Sequence, residues 1–127
     1  MTIDEAIHLA DELTPNTIMR TRKLEWLSRL DQRIFKEIMN GHVDKEAPAE
    51  MPAYDMDTDP DTQLLAGAPH DEMYRFYLEM QYHLANMELD KYNNAAVLYA
   101  NAWQTFAREY HRDHKPDTAS GCLYHHF

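Results

Sequence analysis

The architecture of this chain follows from residues 92–110, which read YNNAAVLYANAWQTFAREY. Aromatic side chains and alanine recur there at alternating steps of four and three residues, at Tyr92, Ala96, Tyr99, Trp103, Phe106 and Tyr110. This spacing places them along one side of an α-helix and predicts a helix that buries one face against a partner. Nothing in the segment is typical of an active site, so we expect the chain to act through its surfaces.

The composition favours a single all-α domain. A chain of 127 residues is long enough for one modest core, and a hydrophobic content of 44% is ordinary for a globular protein. Glycine occurs only three times, helix-forming residues are abundant, and strand-favouring valine is rare. We expect a compact helical domain of about four helices over residues 1–114. We also expect a long irregular acidic loop between helices 2 and 3 and a flexible C-terminal tail over residues 115–127.

The charge balance argues against nucleic-acid binding. The chain carries 22 acidic against 12 basic side chains, a formal net charge of −10. It therefore repels phosphates and lacks the counterion release that drives DNA binding, although a surface beside DNA that does not adhere to it fits this charge. No apolar run reaches the ~20 residues of a membrane span. The acidic N-terminus differs from a signal peptide, and a single cysteine, Cys122, fits a reducing cytoplasm.

The N-terminal third predicts two helices. The first spans Ile3 to Leu13 and is capped by Thr2, with Glu5 three residues later to complete a capping box. The second covers about residues 18–39 and stops at the Asn-Gly pair of residues 40–41, because glycine suits a left-handed C-cap. The apolar stripe of the second helix consists of Leu24, Leu27, Leu30, Ile34 and Ile38, widened by Trp26 and Phe35.

Residues 42–63 break the helical pattern. Three prolines and many acidic side chains indicate a loop or an extended arm, in which short strands would escape detection by periodicity. The third helix begins near Pro69, and its stripe is Met73, Tyr77, Met80, Leu84 and Met87. The apolar phase then slips by about one residue near residues 86–90. This slip favours a tight turn and a helical hairpin over a single rod from Asp71 to His111.

The acidic loop imitates a calcium site without completing it. Aspartates alternate at Asp55, Asp57, Asp59 and Asp61, as ligands do in the first half of an EF-hand loop. Pro60 stands where that loop requires glycine, and Ala66 stands where it requires a bidentate glutamate. The pattern therefore favours a solvated acidic loop over a cation site.

Histidine spacing raises the question of a transition-metal site. Glu5 and His8 have the Glu-x-x-His spacing of di-iron helical bundles, but no second such pair occurs in the chain. Glu79 and His83 lie at i, i+4, and the last two helical histidines, His111 and His114, lie at i, i+3. Neither pair has an evident third ligand. We therefore expect no metal site and no cofactor.

Catalytic motifs are missing from the sequence. It contains no nucleophile elbow, no phosphate-binding glycine loop and no dinucleotide fingerprint. Cys122 and His125 are neighbours in the tail, but nothing in the sequence orients them as a catalytic pair. We therefore expect that the protein is not an enzyme.

Tyrosine outside the main stripes points to contacts with partners. Tyr74 and Tyr82 fall off the stripe of the third helix, and the tail carries Leu123, Tyr124 and Phe127. Tyrosine combines apolar area with a polar hydroxyl and is enriched at protein interfaces. We predict these five residues as interface candidates, with the tail either packing back on the domain or docking on a partner.

Several segments resemble small proteins of tailed bacteriophages and prophages, of the head–tail connector (adaptor or head-completion) family. They are Trp26-Leu27-Ser28-x-Leu30-Asp31, Leu64-Leu65-Ala66-x-Ala68-Pro69-x-Asp71-Glu72-x-Tyr74, Tyr77-Leu78-Glu79-x-Gln81 and Asp90-Lys91-Tyr92-Asn93-Asn94. The resemblance covers roughly residues 3–112. Gly67 and His70 depart from it, since they stand where we expect a proline and an aromatic residue, and the histidine-rich end after Pro116 is unfamiliar.

The resemblance implies a structural subunit that forms a homo-oligomeric ring beneath the phage portal protein. Such a ring joins the head to a tail-side completion protein, and DNA passes through its channel without specific binding. It also implies assembly in the bacterial host cytoplasm and then a place in the virion, with no membrane involved. A net charge of −10 repeated around a ring gives an acidic lumen along which DNA slides. Candidate acids for that lumen are Glu12, Asp31, Glu37, Glu79, Glu88 and Asp90.

Two other functions are compatible with the composition. The first is an acidic helical inhibitor, or DNA mimic, that occupies the basic groove of a host protein. A mimic clusters its carboxylates on one face, whereas the second helix mixes its acids with Arg20, Arg22, Lys23, Arg29, Arg33 and Lys36. The second is a metal-binding ferritin-like bundle, which elemental analysis of the purified protein would detect.

Overall fold

Four helices build the part of the chain that the structure describes, which in this computed structural model is residues 1–39 and 50–113. They are α1 (Ile3–Leu13), α2 (Arg20–Ile34), α3 (Glu72–Ala85) and α4 (Leu89–Asp113), and α2 continues into one π-helical turn, the π-turn (Phe35–Met39). The predicted all-α domain of about four helices is confirmed. Outside the described residues lie the first part of the predicted arm (residues 42–49), the expected stop at residues 40–41, and the tail with Leu123, Tyr124 and Phe127.

The first helix has the predicted bounds and the predicted cap. The hydroxyl of Thr2 accepts a hydrogen bond from the Glu5 amide at 3.1 Å, and the Glu5 carboxylate accepts one from the Thr2 amide at 3.2 Å. This capping box satisfies two amides that the helix cannot pair internally. Its buried face consists of Ile3, Ala6, Ile7 and Ala10.

The second helix buries the predicted stripe but starts at Arg20, later than expected. The side chain of Asn16 accepts a hydrogen bond from the Ile18 amide at 3.0 Å. Such a local side-chain bond competes with helical hydrogen bonding and holds residues 16–18 outside the helix. At its other end the helix widens into the π-turn, which buries Ile38 and Met39.

The loop before α3 runs along the N-terminus of the chain. Thr2 and Gln63 form an isolated antiparallel bridge, and the described residues contain no longer strand. The predicted start of α3 near Pro69 is wrong, because residues 68–71 form turns and the helix begins at Glu72. Hydrogen bonds from the His70 amide to the Gly67 carbonyl and from the Met73 amide to the His70 carbonyl close these turns.

The third helix is the central element and contacts α1, α2 and α4. Its buried residues therefore lie on several sides of the helix and not along a single stripe. The buried residues are Met73, Tyr74, Leu78, Met80 and Tyr82. Of the predicted stripe, Leu84 is 42% exposed and Met87 is 77% exposed, so the prediction is wrong at the C-terminal end.

The predicted turn between α3 and α4 is confirmed and has the form of a Schellman motif. The Met87 amide donates to the Leu84 carbonyl at 3.1 Å, and the Glu88 amide donates to the His83 carbonyl at 2.9 Å. Met87 occupies the left-handed position of this motif, with φ of 59°. A glycine is usual there because a Cβ atom makes the left-handed conformation unfavourable.

Replacing Met87 by glycine is therefore expected to stabilise the protein by about 0.5–1 kcal/mol. Chemical denaturation followed by circular dichroism measures this change. The matched control is Met56→Gly, since Met56 is also an exposed methionine, at 58%, but lacks a positive φ. Met56→Gly should leave stability unchanged or lower it, and a loss of stability in Met87→Gly would contradict the expected effect.

The fourth helix follows the stripe predicted from its sequence. Tyr99, Phe106 and Tyr110 are buried, and Tyr92 and Trp103 are partly buried. It packs on α3 and touches the π-turn. Arg33 of α2 fastens the middle of α4, because its guanidinium donates to the Tyr99 hydroxyl at 2.9 Å and lies 3.9 Å from the centre of the Trp103 ring.

Candidate functional site

A buried carboxylate is the most distinctive polar feature of the described chain. Asp31 on α2 is 0% exposed and accepts three hydrogen bonds. The Tyr54 hydroxyl donates at 2.5 Å, the Tyr74 hydroxyl at 2.6 Å, and the Leu65 amide at 3.2 Å. The Tyr74 hydroxyl in turn accepts from the Ala66 amide at 2.7 Å. We call these five residues the Asp31 network.

The network joins segments that are distant in the sequence. Asp31 belongs to α2, Tyr54 to the loop after the π-turn, Leu65 and Ala66 to the segment before α3, and Tyr74 to α3 itself. Four of the five lie in segments that carry the bacteriophage resemblance, and Tyr54 is the exception. These segments therefore meet in space, and what they form is a packing and hydrogen-bonding element of the fold.

The loop around Tyr54 has further ties to α2. The Ser28 hydroxyl accepts from the Tyr54 amide at 2.7 Å, and the Gln32 side chain donates to the Pro52 carbonyl at 3.1 Å. Together with the Tyr54 hydroxyl on Asp31, these bonds hold residues 52–54 along one side of α2. This part of the predicted arm is therefore docked on its own domain.

Burial governs the protonation of the network. Removal from water raises the pKa of Asp31, although the hydrogen bonds from Tyr54, Tyr74 and Leu65 act in the opposite direction. Burial and the nearby carboxylate raise the pKa of both Tyr54 and Tyr74, so the hydroxyls keep their protons and remain donors at neutral pH. Asp31 and Tyr74 are closed to solvent. The network is therefore a structural element that holds α2, α3 and the loop around Tyr54 together.

A second carboxylate holds the other tyrosine of α3. Asp11 on α1 accepts from the Tyr82 hydroxyl at 2.9 Å and from Asn16 at 3.1 Å. The Lys23 ammonium donates to both of its oxygens, at 2.9 and 2.8 Å, while being nearly closed to solvent. Lys23 also lies 5.3 Å from the centre of the Tyr82 ring.

The prediction that Tyr74 and Tyr82 are interface residues is therefore wrong. Both side chains are 0% exposed and both hydroxyls are bound to carboxylates of the same chain. The expectation failed because α3 packs on three elements at once, so residues off its main stripe are also covered. The prediction of Asp31 as a channel acid is also wrong, because Asp31 lies on the buried face of α2 and is 0% exposed.

Asp11 gives stability a dependence on pH. Partial burial alone would raise its pKa, but hydrogen bonds from Lys23, Asn16 and Tyr82 outweigh this and lower the pKa below 3.8, the value of an unperturbed aspartate. A lowered folded-state pKa means that the stabilising contribution is fully present above about pH 4 and is lost as the pH falls through the folded pKa. We therefore expect Asp11→Asn to be less stable than the wild type at pH 7.

Unfolding curves of Asp11→Asn and the wild type between pH 7 and about pH 3 test this expectation. The stability difference should shrink as the pH drops below 3.8, the value for an unperturbed aspartate. Asp57→Asn serves as the control because Asp57 is an exposed loop residue. A difference that stays constant down to the lowest pH would contradict the assigned role of Asp11.

The patterns that imitated metal sites have other partners in the structure. Among the described residues, no group of three His, Cys, Asp or Glu side chains converges to hold an ion. Glu79 binds the Thr14 hydroxyl at 2.7 Å and Arg75 at 3.0 Å, whereas His83 pairs with Glu88 at 3.2 Å. His114 lies outside the described residues.

The alternating aspartates shape the loop in which they lie. The carboxylate of Asp55 accepts from the Asp57 amide, and that of Asp59 accepts from the Asp61 amide, each at 2.9 Å. These bonds form successive Asx turns. The side chains that resembled calcium ligands therefore stabilise the backbone of the acidic loop.

A cleft of about 420 Å³ opens between the segment before α3 and the end of α4. Its polar pair is His70 and Glu109, whose Nε2 and carboxylate oxygen lie 2.6 Å apart. The His70 ring also packs on Phe106, with ring centres 5.4 Å apart. These contacts fasten the segment before α3 to the last turns of α4.

The signal for the Asp31 network was present in the sequence. Asp31 follows Leu27 by four residues and precedes Ile34 by three, so it lies on the apolar stripe of α2. A carboxylate on a buried helix face requires donors from elsewhere in the chain. Which donors these are depends on tertiary contacts that periodicity does not reveal.

Comparison with protein-family models, with curated proteins and with solved structures finds no match to this chain. In the described part of the chain, no helix is long and apolar enough to cross a membrane.

Proposed function

We propose that this protein is a structural virion subunit, a head–tail connector that assembles into a ring beneath the portal protein of a tailed bacteriophage or prophage. The observation that carries the proposal is the Asp31 network. It shows that residues of the resemblance segments are used to hold the fold, which leaves the surface to perform the function. Assembly in the host cytoplasm and incorporation at the head–tail junction follow from this proposal.

The surface of the described chain supports an assembly role. Nine large apolar side chains of the described residues are more than 40% exposed: Leu13, Met19, Met51, Met56, Leu84, Met87, Leu89, Val97 and Leu98. Contacts with neighbouring subunits would remove some of these side chains from water, in particular those on α4. A net charge of −10 on each subunit gives the lumen of a ring a potential that repels DNA.

The acidic inhibitor is a weaker candidate. On the outer side of α2, Arg22 and Arg29 both pair with Glu25, at 3.7 and 3.1 Å. Acidic and basic groups alternate there and partly neutralise each other. A mimic of DNA needs an uninterrupted row of carboxylates, which this surface does not offer.

Size-exclusion chromatography with light scattering tests the proposal. Three samples are compared: the protein alone, the portal protein of the same genome alone, and the mixture of the two. We expect a closed oligomer of this chain, or its co-elution with the portal. A chain that stays monomeric and ignores the portal at every concentration would overturn the connector function.

A further inference from the structure

The last helix is covered on one side only. Within the described residues the backbone of α4 packs on α3 and the π-turn, and Arg33 of α2 reaches it through its side chain at Tyr99 and Trp103. On its uncovered side Val97 is 60% exposed and Leu98 is 48% exposed. The exposed residues around them are Asn93, Asn94, Ala100, Asn101 and Gln104. We call these seven residues the α4 outer face.

The α4 outer face carries no charge. No Asp, Glu, Lys or Arg occurs between Lys91 and Arg108, although such residues make up 27% of the chain. The uncharged span is roughly 24 Å long at the usual helical rise. Surfaces that remain in water are normally rich in charge, whereas the centres of protein interfaces are depleted of it.

A shallow apolar groove continues this face. It has a volume of about 300 Å³ and lies between α3 and α4. Its apolar lining includes Phe76, Leu98 and Ala102, and His70 and Glu72 also line it. The exposed Val97 side chain projects nearby on the same helix. The region therefore offers both a projecting apolar side chain and a depression that can receive one, as helix packing requires.

Charge identifies the partner. Two copies of this chain each carry −10 and repel one another, so a contact between them is favoured where neither presents charge. A basic partner would be bound through carboxylates, and nucleic acid would be bound through basic side chains. The α4 outer face has neither, and it therefore fits a second copy of the same chain.

We propose that the α4 outer face, with the groove beside Leu98, is the contact surface between copies of this protein. The inference rests on the proposed function and adds to it the surface that joins the subunits. Val97 lies inside the uncharged span, so a charge placed there would be buried in the contact without a partner.

The test compares Val97→Glu with Met56→Glu, because both positions are exposed apolar residues, at 60% and 58%, and both variants gain one charge. Circular dichroism should show that both keep their fold. In light scattering with and without the portal protein, Val97→Glu should weaken self-association by at least about tenfold. Met56→Glu should assemble like the wild type.

A photo-crosslinker at the same position identifies what lies against the face. Val97→p-benzoylphenylalanine is irradiated alone and in the presence of portal protein, and mass spectrometry identifies the adduct. An adduct with a second copy supports the inference. A portal adduct alone, or wild-type assembly in Val97→Glu, overturns the inference and leaves the connector function standing. A wild type that neither self-associates nor binds the portal overturns both.

Discussion

Asp31→Ala is expected to lower the free energy of unfolding by about 3–5 kcal/mol. The substitution removes the acceptor of the Tyr54 hydroxyl, the Tyr74 hydroxyl and the Leu65 amide together. Each donor left without a partner in the core costs about 1–3 kcal/mol, partly offset by the relief of a buried carboxylate. For a domain of this size such a loss is a large part of the total stability.

Chemical denaturation at pH 7 measures the effect, with Asp4→Ala as the control. Asp4 is also a helical aspartate, but it is 57% exposed and its side chain pairs with Arg20 at 3.0 Å on the surface. Its loss should cost less than about 1 kcal/mol. Equal effects of the two substitutions would show that the Asp31 network does not hold the fold together.

The loss of stability caused by Asp31→Ala, which we call the Asp31 deficit, should also depend on pH. Burial raises the pKa of Asp31 in the folded state, so the folded protein takes up this proton more readily than the unfolded chain. The wild type therefore gains stability from this group as the pH falls from the folded pKa toward 3.8, and Asp31→Ala cannot. The deficit should be larger near pH 4 than at pH 7, opposite to the trend expected for Asp11→Asn.

Tyr74→Phe should destabilise the protein by about 2–4 kcal/mol although it keeps the ring. The Tyr74 hydroxyl donates to Asp31 and accepts from the Ala66 amide, so its removal leaves a buried carboxylate short of a donor and a buried amide without an acceptor. The cavity created is small, so the loss reports hydrogen bonding more than packing.

Tyr92→Phe is the matched control, since Tyr92 lies partly buried on α4 and belongs to no network that reaches Asp31. It should change stability by less than about 0.5 kcal/mol. A double-mutant cycle of Asp31→Ala and Tyr74→Phe should show strong coupling, with the pair costing much less than the sum of the single effects. Additive losses would mean that the two residues act independently.

Local sequence patterns were sufficient where a helix buries a single face. The capping box at Thr2 placed the start of α1 correctly, and the four-three spacing from Tyr92 onward identified the buried side of α4. For α3 the same reasoning failed at Tyr74 and Tyr82, because a helix enclosed by three neighbours has no single buried stripe. The start of α2 shifted for a different reason, the Asn16 side chain bound to the Ile18 amide.

The candidate sites were harder to derive from the sequence. Asp31 was visible as a carboxylate on an apolar stripe, but its donors come from three separate segments. Tyr54 lies in a loop without periodicity, where sequence patterns give no register. The α4 outer face required the structure as well, since the sequence shows an uncharged span but not which of its residues stay uncovered.

The Asp31 network also bears on the rates of folding and unfolding. Its partners lie 23, 34 and 43 residues further along the chain. Such long loops close late, after the helices have formed and begun to pack. Substitutions in the network should therefore accelerate unfolding while leaving the folding rate nearly unchanged. We then expect the lifetime of the folded chain to depend on one carboxylate, and the speed of its formation on the helices around it.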